Sequence, residues 1–282
     1  MPVVALATCA EVPEGDDEAP ALVAALVDHG ITAVSAVWDS PDEDWSRFDL
    51  VVVRSTWDYP ERRDTFLAWA AALPRVLNPP DVLRWNTDKR YLAELADAGV
   101  PVVPTQFVEP GEPFSPPSGR VVVKPAVSAG SRHTASHSDP VQTAEHVERL
   151  QGMGRTTMVQ PYVGGVDAEG ETALIYLGGR YSHTVRKAAL LADEQPPGED
   201  LYLEETIDAR EPSGEELAAG QRAVAALPFD ATSLLYARVD LLPTSDGPVV
   251  LEVELTEPSL FLGYAAGAAE RLADAIVRVV SR

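Results

Sequence analysis

The stretch Tyr236 to Leu262, YARVDLLPTSDGPVVLEVELTEPSLFL, places Arg238 and Asp240 two residues apart in one apolar run and Glu252 and Glu254 two residues apart in the next. Residues i and i+2 of a strand share a face, and the SDG turn between the runs predicts that they pair as a hairpin. Asp240, Glu252 and Glu254 then converge on a half-buried sheet, where three carboxylates repel one another unless a cation lies among them. Hard oxygen donors suggest magnesium, and magnesium held by few protein ligands usually grips phosphates as well. The competing expectation is an acidic, solvated sheet face with no ion.

Candidate phosphate-binding groups lie upstream. Val121 to Val123 form a strand ending in Lys124, and Ser128, Ala129, Gly130 and Ser131 make a small-residue loop whose amides can approach phosphates closely. Neither GxxxxGK[ST] nor GxGxxG occurs. Asn86 or Thr87 can cap a helix that begins at Asp88 and Lys89 and closes at Gly99. Lys89 is then in a first turn, where the macrodipole disfavours a cation; a phosphate shared with another lysine accounts for it, and an exposed, inert lysine is the alternative. The strand TTMVQPYV leads to Gln160 and Pro161, a hinge whose backbone could pair with a purine edge. Asp167 follows in the turn-rich GGVDAEGE. ETALIYLGGRYSHTVRK reads as a hairpin turning at Gly178 and Gly179, with His183 and Lys187 on its return strand. His183 serves either as a substrate contact or proton shuttle, or as a surface residue of that hairpin; His133 and His137 are further candidates to touch ligand. No Ser-His-Asp arrangement or zinc-like histidine spacing is evident.

These groups need a scaffold. VVALA, ITAVSAVW and LVVV alternate with helical segments, as in an open α/β sheet, and RSTWDY lies at the C-terminal end of the third strand, where such sheets bind ligands. Pro60 suits the first turn of a helix through ERRDTFLAWAAAL, with Asp58 as its cap. Arg54, Ser55, Thr56, Trp57 and Asp58 are therefore candidates to hold a small substrate; otherwise Trp57 packs and Arg54 pairs with a neighbouring acid. Ser213 and Glu216 form a capping box for a packing helix, LLADEQPPGEDLY is either a lid or a plain surface loop, and the terminal GYAAGAAERLADAIVRVV is an amphipathic helix, more a core element than a dimer contact.

The chain's 282 residues suffice for two or three subdomains. With 22 Lys and Arg against 44 Asp and Glu, its net charge of −22 repels a phosphate backbone, so nucleic acid is not an expected partner. The single Cys9 excludes an internal disulfide framework. No N-terminal apolar segment resembles a signal peptide or a membrane span, so a cytoplasmic protein without a membrane partner is expected, with a homodimer left open.

From Asn86 to Leu262, the order DK at Asp88 and Lys89, VVKP at Lys124, QPYV at Gln160, RK at Lys187, then RVD and LEVE resembles the ATP-grasp carboxylate ligases, which include D-alanine–D-alanine ligase and glutathione synthetase. RSTWDY, RWNTDKRYL, KPAVSAGS, GRYSHTVRK and EPSLFL are most similar to the branch of O-ureido-D-serine cyclo-ligases. The resemblance implies an α/β fold with an N-terminal doubly wound domain (1–83), a central ATP-grasp subdomain (84–160) and a C-terminal one with the metal site (161–282). It implies that Lys89 and Lys124 hold the α- and β-phosphates, with Ser128, Gly130 and Ser131 in the loop over them. Adenine would meet the Gln160, Tyr162 and Val163 segment, and ribose would meet Asp167. Asp240, Glu252 and Glu254 would hold Mg2+, with Lys187 near the phosphates and Arg238 stabilising the transferring phosphoryl group. Two departures stand out: Glu254 replaces the asparagine common in the family's second metal strand, and Gln160 replaces a common glutamate. The implied activity is ATP-dependent carboxylate–amine ligation through an acyl phosphate, with cyclisation of an O-substituted D-serine as the narrow expectation. The alternatives are an intermolecular amino-acid or peptide ligase and a nucleotide-binding module without chemistry.

Overall fold

The computed structural model describes residues 1–191 and 206–281. Strands β1 (Val3–Thr8), β2 (Thr32–Val37), β3 (Leu50–Ser55) and β4 (Val76–Leu77) form a parallel sheet in the order β2-β1-β3-β4. Every residue of β3 is buried, as its unbroken apolar run requires of a strand covered on both faces. Helices α1 (Ala19–Asp28) and α2 (Arg63–Ala72) flank this sheet. Pro60 lies in a short 3-10 turn, Tyr59–Glu61, that precedes α2, and Asp58 makes no capping hydrogen bond.

The helix expected to begin at Asp88 and Lys89 starts later, and another precedes it. Here α3 (Pro80–Asn86) and α4 (Tyr91–Asp97) flank a turn, in which the Lys89 amide donates to Ala126 O at 2.9 Å. Lys89 therefore precedes α4, and the conflict with its macrodipole does not arise. Val82, Tyr91, Leu92 and Leu95 pack with Leu174, Tyr176 and Val253 of the last sheet.

A second, antiparallel sheet has the order β5-β8-β6-β7, from β5 (Gln106–Val108), β6 (Val121–Pro125), β7 (Ala135–His137) and β8 (Thr157–Pro161). Helix α5 (Pro140–Gly152) covers one face, burying Val147 and Leu150 against Val121, Val123 and Val159. After the single turn α6 (Val166–Glu169), a third antiparallel sheet combines β9 (Glu171–Leu177), β10 (Arg180–Lys187), β11 (Ile207–Arg210), β12 (Tyr236–Leu242) and β13 (Val249–Glu254), in the order β11-β10-β9-β12-β13. Both expected hairpins are present. Helix α7 (Gly214–Ala225) carries the Ser213–Glu216 capping box, and α8 (Ala268–Val280) buries its apolar stripe in the core shared with α1 and the third sheet. Residues 192–202 of the expected lid lie outside the described residues.

Two asparagines fasten the end of the β12–β13 hairpin to the rest of the chain. Asn78, 0 % exposed, donates to Tyr236 O (3.0 Å) and Leu255 O (2.7 Å) and accepts from Leu235 N (2.7 Å). Asn86 donates to Val253 O (2.6 Å) and accepts from Leu255 N (2.7 Å) and Thr256 Oγ1 (3.0 Å), so it clamps a strand instead of capping a helix. Removing either side chain strands backbone groups away from water. Asn78→Ala should lower unfolding stability by about 3 kcal/mol, at roughly 1 kcal/mol per lost bond. A shift below about 1 kcal/mol in a urea titration would show that the strand end is held by something else.

Candidate active site

The three sheets enclose a cavity of about 610 Å³. Trp57 and Tyr59 reach it from the first sheet's loops, Lys124 and Gln160 from the second sheet, and Lys187, Arg238, Asp240, Glu252 and Glu254 from the third. The hairpin register sets Arg238 opposite Glu254 and Asp240 opposite Glu252. This puts the four charges on one face, as the i, i+2 spacing requires. The register slips just after Asp240, so the pairing resumes as Leu241 with Val250. Asp240 is 2 % exposed, which excludes a solvated acidic face.

Protein cations balance the carboxylates. Arg238 forks onto Asp240, with Nε to Oδ1 at 2.9 Å and Nη2 to Oδ2 at 2.8 Å; it also reaches Glu254 Oε1 at 2.5 Å and Ser259 O at 3.0 Å. Glu252 pairs with Lys124 and lies 3.6 Å from Lys89 Nζ. Lys187 pairs with Glu171 at 2.7 Å and stands 3.8 Å from Asp240. Burial pushes the Glu252 carboxyl up, but Lys124 and Lys89 outweigh it and bring the pKa down to about 2. Glu254, buried beside Asp240 and Glu252, is shifted upward despite Arg238. Among the described residues, no three His, Cys, Asp or Glu side chains converge as a ready metal cluster. The arrangement offers oxygen donors that lysine and arginine presently hold.

At the lysine end, Lys89 Nζ donates to Ser128 O (2.8 Å) and Ser128 Oγ (3.1 Å). The loop that follows reverses through left-handed conformations at Gly130, Ser131 and His133 and, with Ser128, Gly130 and Ser131, lines the cavity. His133 and His137 support this loop: His137 Nε2 pairs with His146 Nδ1 at 2.8 Å, and His146 Nε2 meets His133 O at 3.1 Å. Burial lowers the His146 pKa to about 3, keeping that link neutral. Gln160, Tyr162 and Val163 line the far end. The Gln160 amide donates to Thr105 Oγ1 at 2.9 Å, and the Arg120 guanidinium covers the Tyr162 ring at 3.8 Å. Asp167 does not line the cavity; it accepts from the Tyr162 hydroxyl.

The first sheet's loop needs most correction, because only Trp57 of the five candidates from Arg54 to Asp58 lines the cavity. Arg54 is committed to Glu18 (2.7 Å), Asp16 (3.3 Å) and Pro258 O (3.1 Å), the pairing with neighbouring acids left open by the sequence. Ser55 bonds Thr8 at 2.8 Å, and Thr56 is fully buried. Asp58 accepts from Trp38 Nε1 at 2.7 Å and pairs with Arg62, so it faces the first sheet's own core. His183 is likewise structural: its Nε2 meets Leu260 O at 2.8 Å, and burial lowers its pKa.

In their place stand residues the motif reading passed over. Asp16, Asp17 and Glu18 line the cavity from the loop after β1, and Tyr59, Glu257 and Phe261 close the same end. Glu18 accepts from the amides of Leu260 (3.1 Å) and Leu262 (3.2 Å), which holds Phe261 between them in a left-handed conformation. Burial, followed by the charge of Glu254, raises the Glu257 carboxyl to about 8. The signal for the acidic loop was available in EVPEGDDEAP, which follows a parallel strand as RSTWDY does. Glu257 breaks the i, i+2 pattern and had no such signal.

Residues 4–78 match the family described as D-cycloserine synthetase DcsG, N-terminal domain. Over 302 aligned residues the chain is 38 % identical to the cycloserine biosynthesis protein DcsG of Streptomyces lavendulae, covering 98 % of each. It superimposes on a crystal structure of D-cycloserine synthetase DcsG with a TM-score of 0.86, 35 % identity and 99 % coverage of both chains. D-alanine–D-alanine ligase from Bacillus anthracis, in complex with ATP, shares the fold at a TM-score of 0.69 and 15 % identity, covering 100 % of this chain and 98 % of that one. No helix among the described residues is long and apolar enough to cross a membrane. The chain belongs to the DcsG family of ATP-grasp enzymes and is an ATP-dependent ligase.

Proposed function

We propose that this ligase activates the carboxyl group of O-ureido-D-serine as an acyl phosphate and closes it to D-cycloserine. The observation that carries this reading is a single cavity with a lysine-rich end and a small, acid- and aromatic-lined end meeting at Arg238, in a chain 38 % identical to a cycloserine biosynthesis protein. A nucleotide needs most of that volume, and what remains between Trp57, Tyr59 and Phe261 suits a small zwitterion better than a peptide.

Each group has a task. Lys89, Lys124 and the Ser128–Ser131 amides neutralise and orient the phosphates, while Arg238 draws the substrate carboxylate toward the γ-phosphorus. A carboxylate oxygen attacks that phosphorus and ADP leaves. The oxygen-linked ureido nitrogen then attacks the acyl carbon, loses its proton and expels phosphate, and the carbamoyl group it carries is hydrolysed by water to carbon dioxide and ammonia. Asp240, Glu252 and Glu254 fit Mg2+, since all are hard oxygen donors and their burial leaves Glu254 poorly compensated. When bound there, Mg2+ would supply charge neutralisation on the β- and γ-phosphate oxygens. Lys124 and Glu252 satisfy each other in the ligand-free protein and separate toward phosphate and metal respectively. Trp57 and Phe261 exclude the water that would hydrolyse the acyl phosphate.

Lys124→Ala should weaken ATP binding about 10- to 100-fold in calorimetry, the equivalent of one charge-assisted bond of about 1.5–3 kcal/mol. Unchanged affinity removes Lys124 from the phosphate site. Glu252→Gln should abolish phosphate release and also destabilise the ligand-free fold at neutral pH, because two buried lysines lose their partner. The folded Glu252 pKa lies below the ordinary 4.5, so its contribution is present above about pH 4.5 and fades as pH falls toward 2. A variant as stable as the parent at pH 7 contradicts this pairing. For the reaction itself, ATP and O-ureido-D-serine alone should yield phosphate and ADP. If phosphate appears only with a second amino acid or amine, the enzyme is an intermolecular ligase; if no amino acid elicits it, the chain binds nucleotide without this chemistry.

A further inference from the structure

The remaining question at the acidic end is what compensates Glu257. Its residue is 9 % exposed and lines the cavity, and among the described residues its carboxyl has neither a hydrogen-bond nor an ion-pair partner. Of the other wall acids, Glu171, Asp240, Glu252 and Glu254 each hold a lysine or arginine, Asp16 and Glu18 hold Arg54, and Asp17 is exposed to solvent rather than buried. A buried carboxyl without an ion-pair partner is held toward its neutral form, and an arriving ligand cation restores the charged one.

Glu257 is also rigidly seated. Trp57 Nε1 donates to its carbonyl at 3.1 Å, Arg54 Nη1 donates to the next carbonyl, Pro258 O, at 3.1 Å, and Arg238 Nη1 holds the one after, Ser259 O, at 3.0 Å. The segment that carries the carboxyl is thus fixed to the arginine assigned to the reacting carboxylate. In an α-amino acid the nitrogen lies only about 2.5 Å from the carboxyl carbon, given N–Cα and Cα–C bonds of about 1.5 Å at an angle of about 111°. The group that receives the ammonium must therefore be a near neighbour of whatever holds the carboxylate. Asp58 cannot be that group while it holds Arg62 and Trp38, Asp16 and Glu18 are bound to Arg54, and Asp17 is exposed to solvent on the loop after β1.

We infer that Glu257 receives the α-ammonium group of the amino-acid substrate and selects for α-amino acids over carboxylic acids that lack it. This rests on the reading of the cavity as the site of a carboxylate ligase. The test compares ATP-dependent phosphate release on O-ureido-D-serine and on its des-amino analogue, 3-(ureidooxy)propanoate, in the parent and in Glu257→Gln. The parent should prefer the amino compound about a hundredfold or more in kcat/KM, since a site built for a polar group rejects the analogue that lacks it. The variant should lose most of that preference, chiefly through KM, with ATP affinity, magnesium dependence and thermal midpoint retained. A variant that keeps the parental preference, or that instead needs more magnesium while keeping it, overturns the assignment. If the parent releases phosphate with neither compound, the cyclisation reading fails by itself. The ammonium assignment is then decided by calorimetric binding of D-alanine against propanoate to the ATP-loaded parent and variant: loss of the amino preference in the variant supports it, and retention or absence of a parental preference rejects it.

Discussion

The ion pair between Lys124 and Glu252 joins the second sheet to the third across the cavity. Both side chains are largely removed from water, so either one alone would carry a heavy desolvation cost. Lys89 adds a second cation to Glu252, and Arg238 and Lys187 do the same for Asp240. The buried carboxylates are therefore compensated by the protein's own cations. On the proposed reading, phosphate and a divalent cation would exchange these ionic partners for others without exposing the charges to water.

Such a charge arrangement demands a rigid frame, and the frame is polar as well as apolar. Asn78 and Asn86 bind the backbone at residues 235, 236, 253 and 255. The Tyr236 hydroxyl lies within reach of the carbonyls of Val53 and Thr256, and Glu18 takes the amides of Leu260 and Leu262. These contacts run from the first sheet's loops to the hairpin that bears Arg238. Hydrophobic packing alone brings the sheets together but does not fix direction. The buried hydrogen bonds fix where the hairpin ends and the substrate loop begins.

The hairpin was legible in the sequence because a period of two and an SDG turn leave few alternatives, and from it followed the shared face of Arg238, Asp240, Glu252 and Glu254. Lys124 and its loop were legible as a strand end, and the fold followed from the order of motifs. Orientation in loops was not legible. RSTWDY lies at the end of β3 as expected, but partners outside the motif decide where its side chains turn: Asp58 goes to the distant Trp38 and to Arg62 one turn on, and Arg54 goes to the distant Asp16 and Glu18. Lys89 was placed on a helix by local propensity, whereas the Ala126 carbonyl holds its amide in a turn. In each case a long-range bond outweighed the local signal, a competition that a single sequence does not display.

The departure from the family pattern at Glu254 also acquires a physical sense. An asparagine at position 254 could accept one hydrogen bond from Arg238 but would bring no charge; Glu254 brings one, and Arg238 is then shared between two acids. The carboxylates extend from there through Glu257 to Asp16, Asp17 and Glu18, while the lysines lie toward Ser128 and the Gln160 hinge. The cavity is consequently polarised along its length. A nucleotide would direct its anionic triphosphate to the lysines, and an ammonium-bearing acid would direct its cation to the carboxylates, the two meeting at a carboxylate and a phosphoryl group. On the proposed reading, opposite fields in one cavity would align both reactants head to head at Arg238 before any bond changes, and such alignment is the larger part of what a phosphoryl-transfer enzyme has to provide.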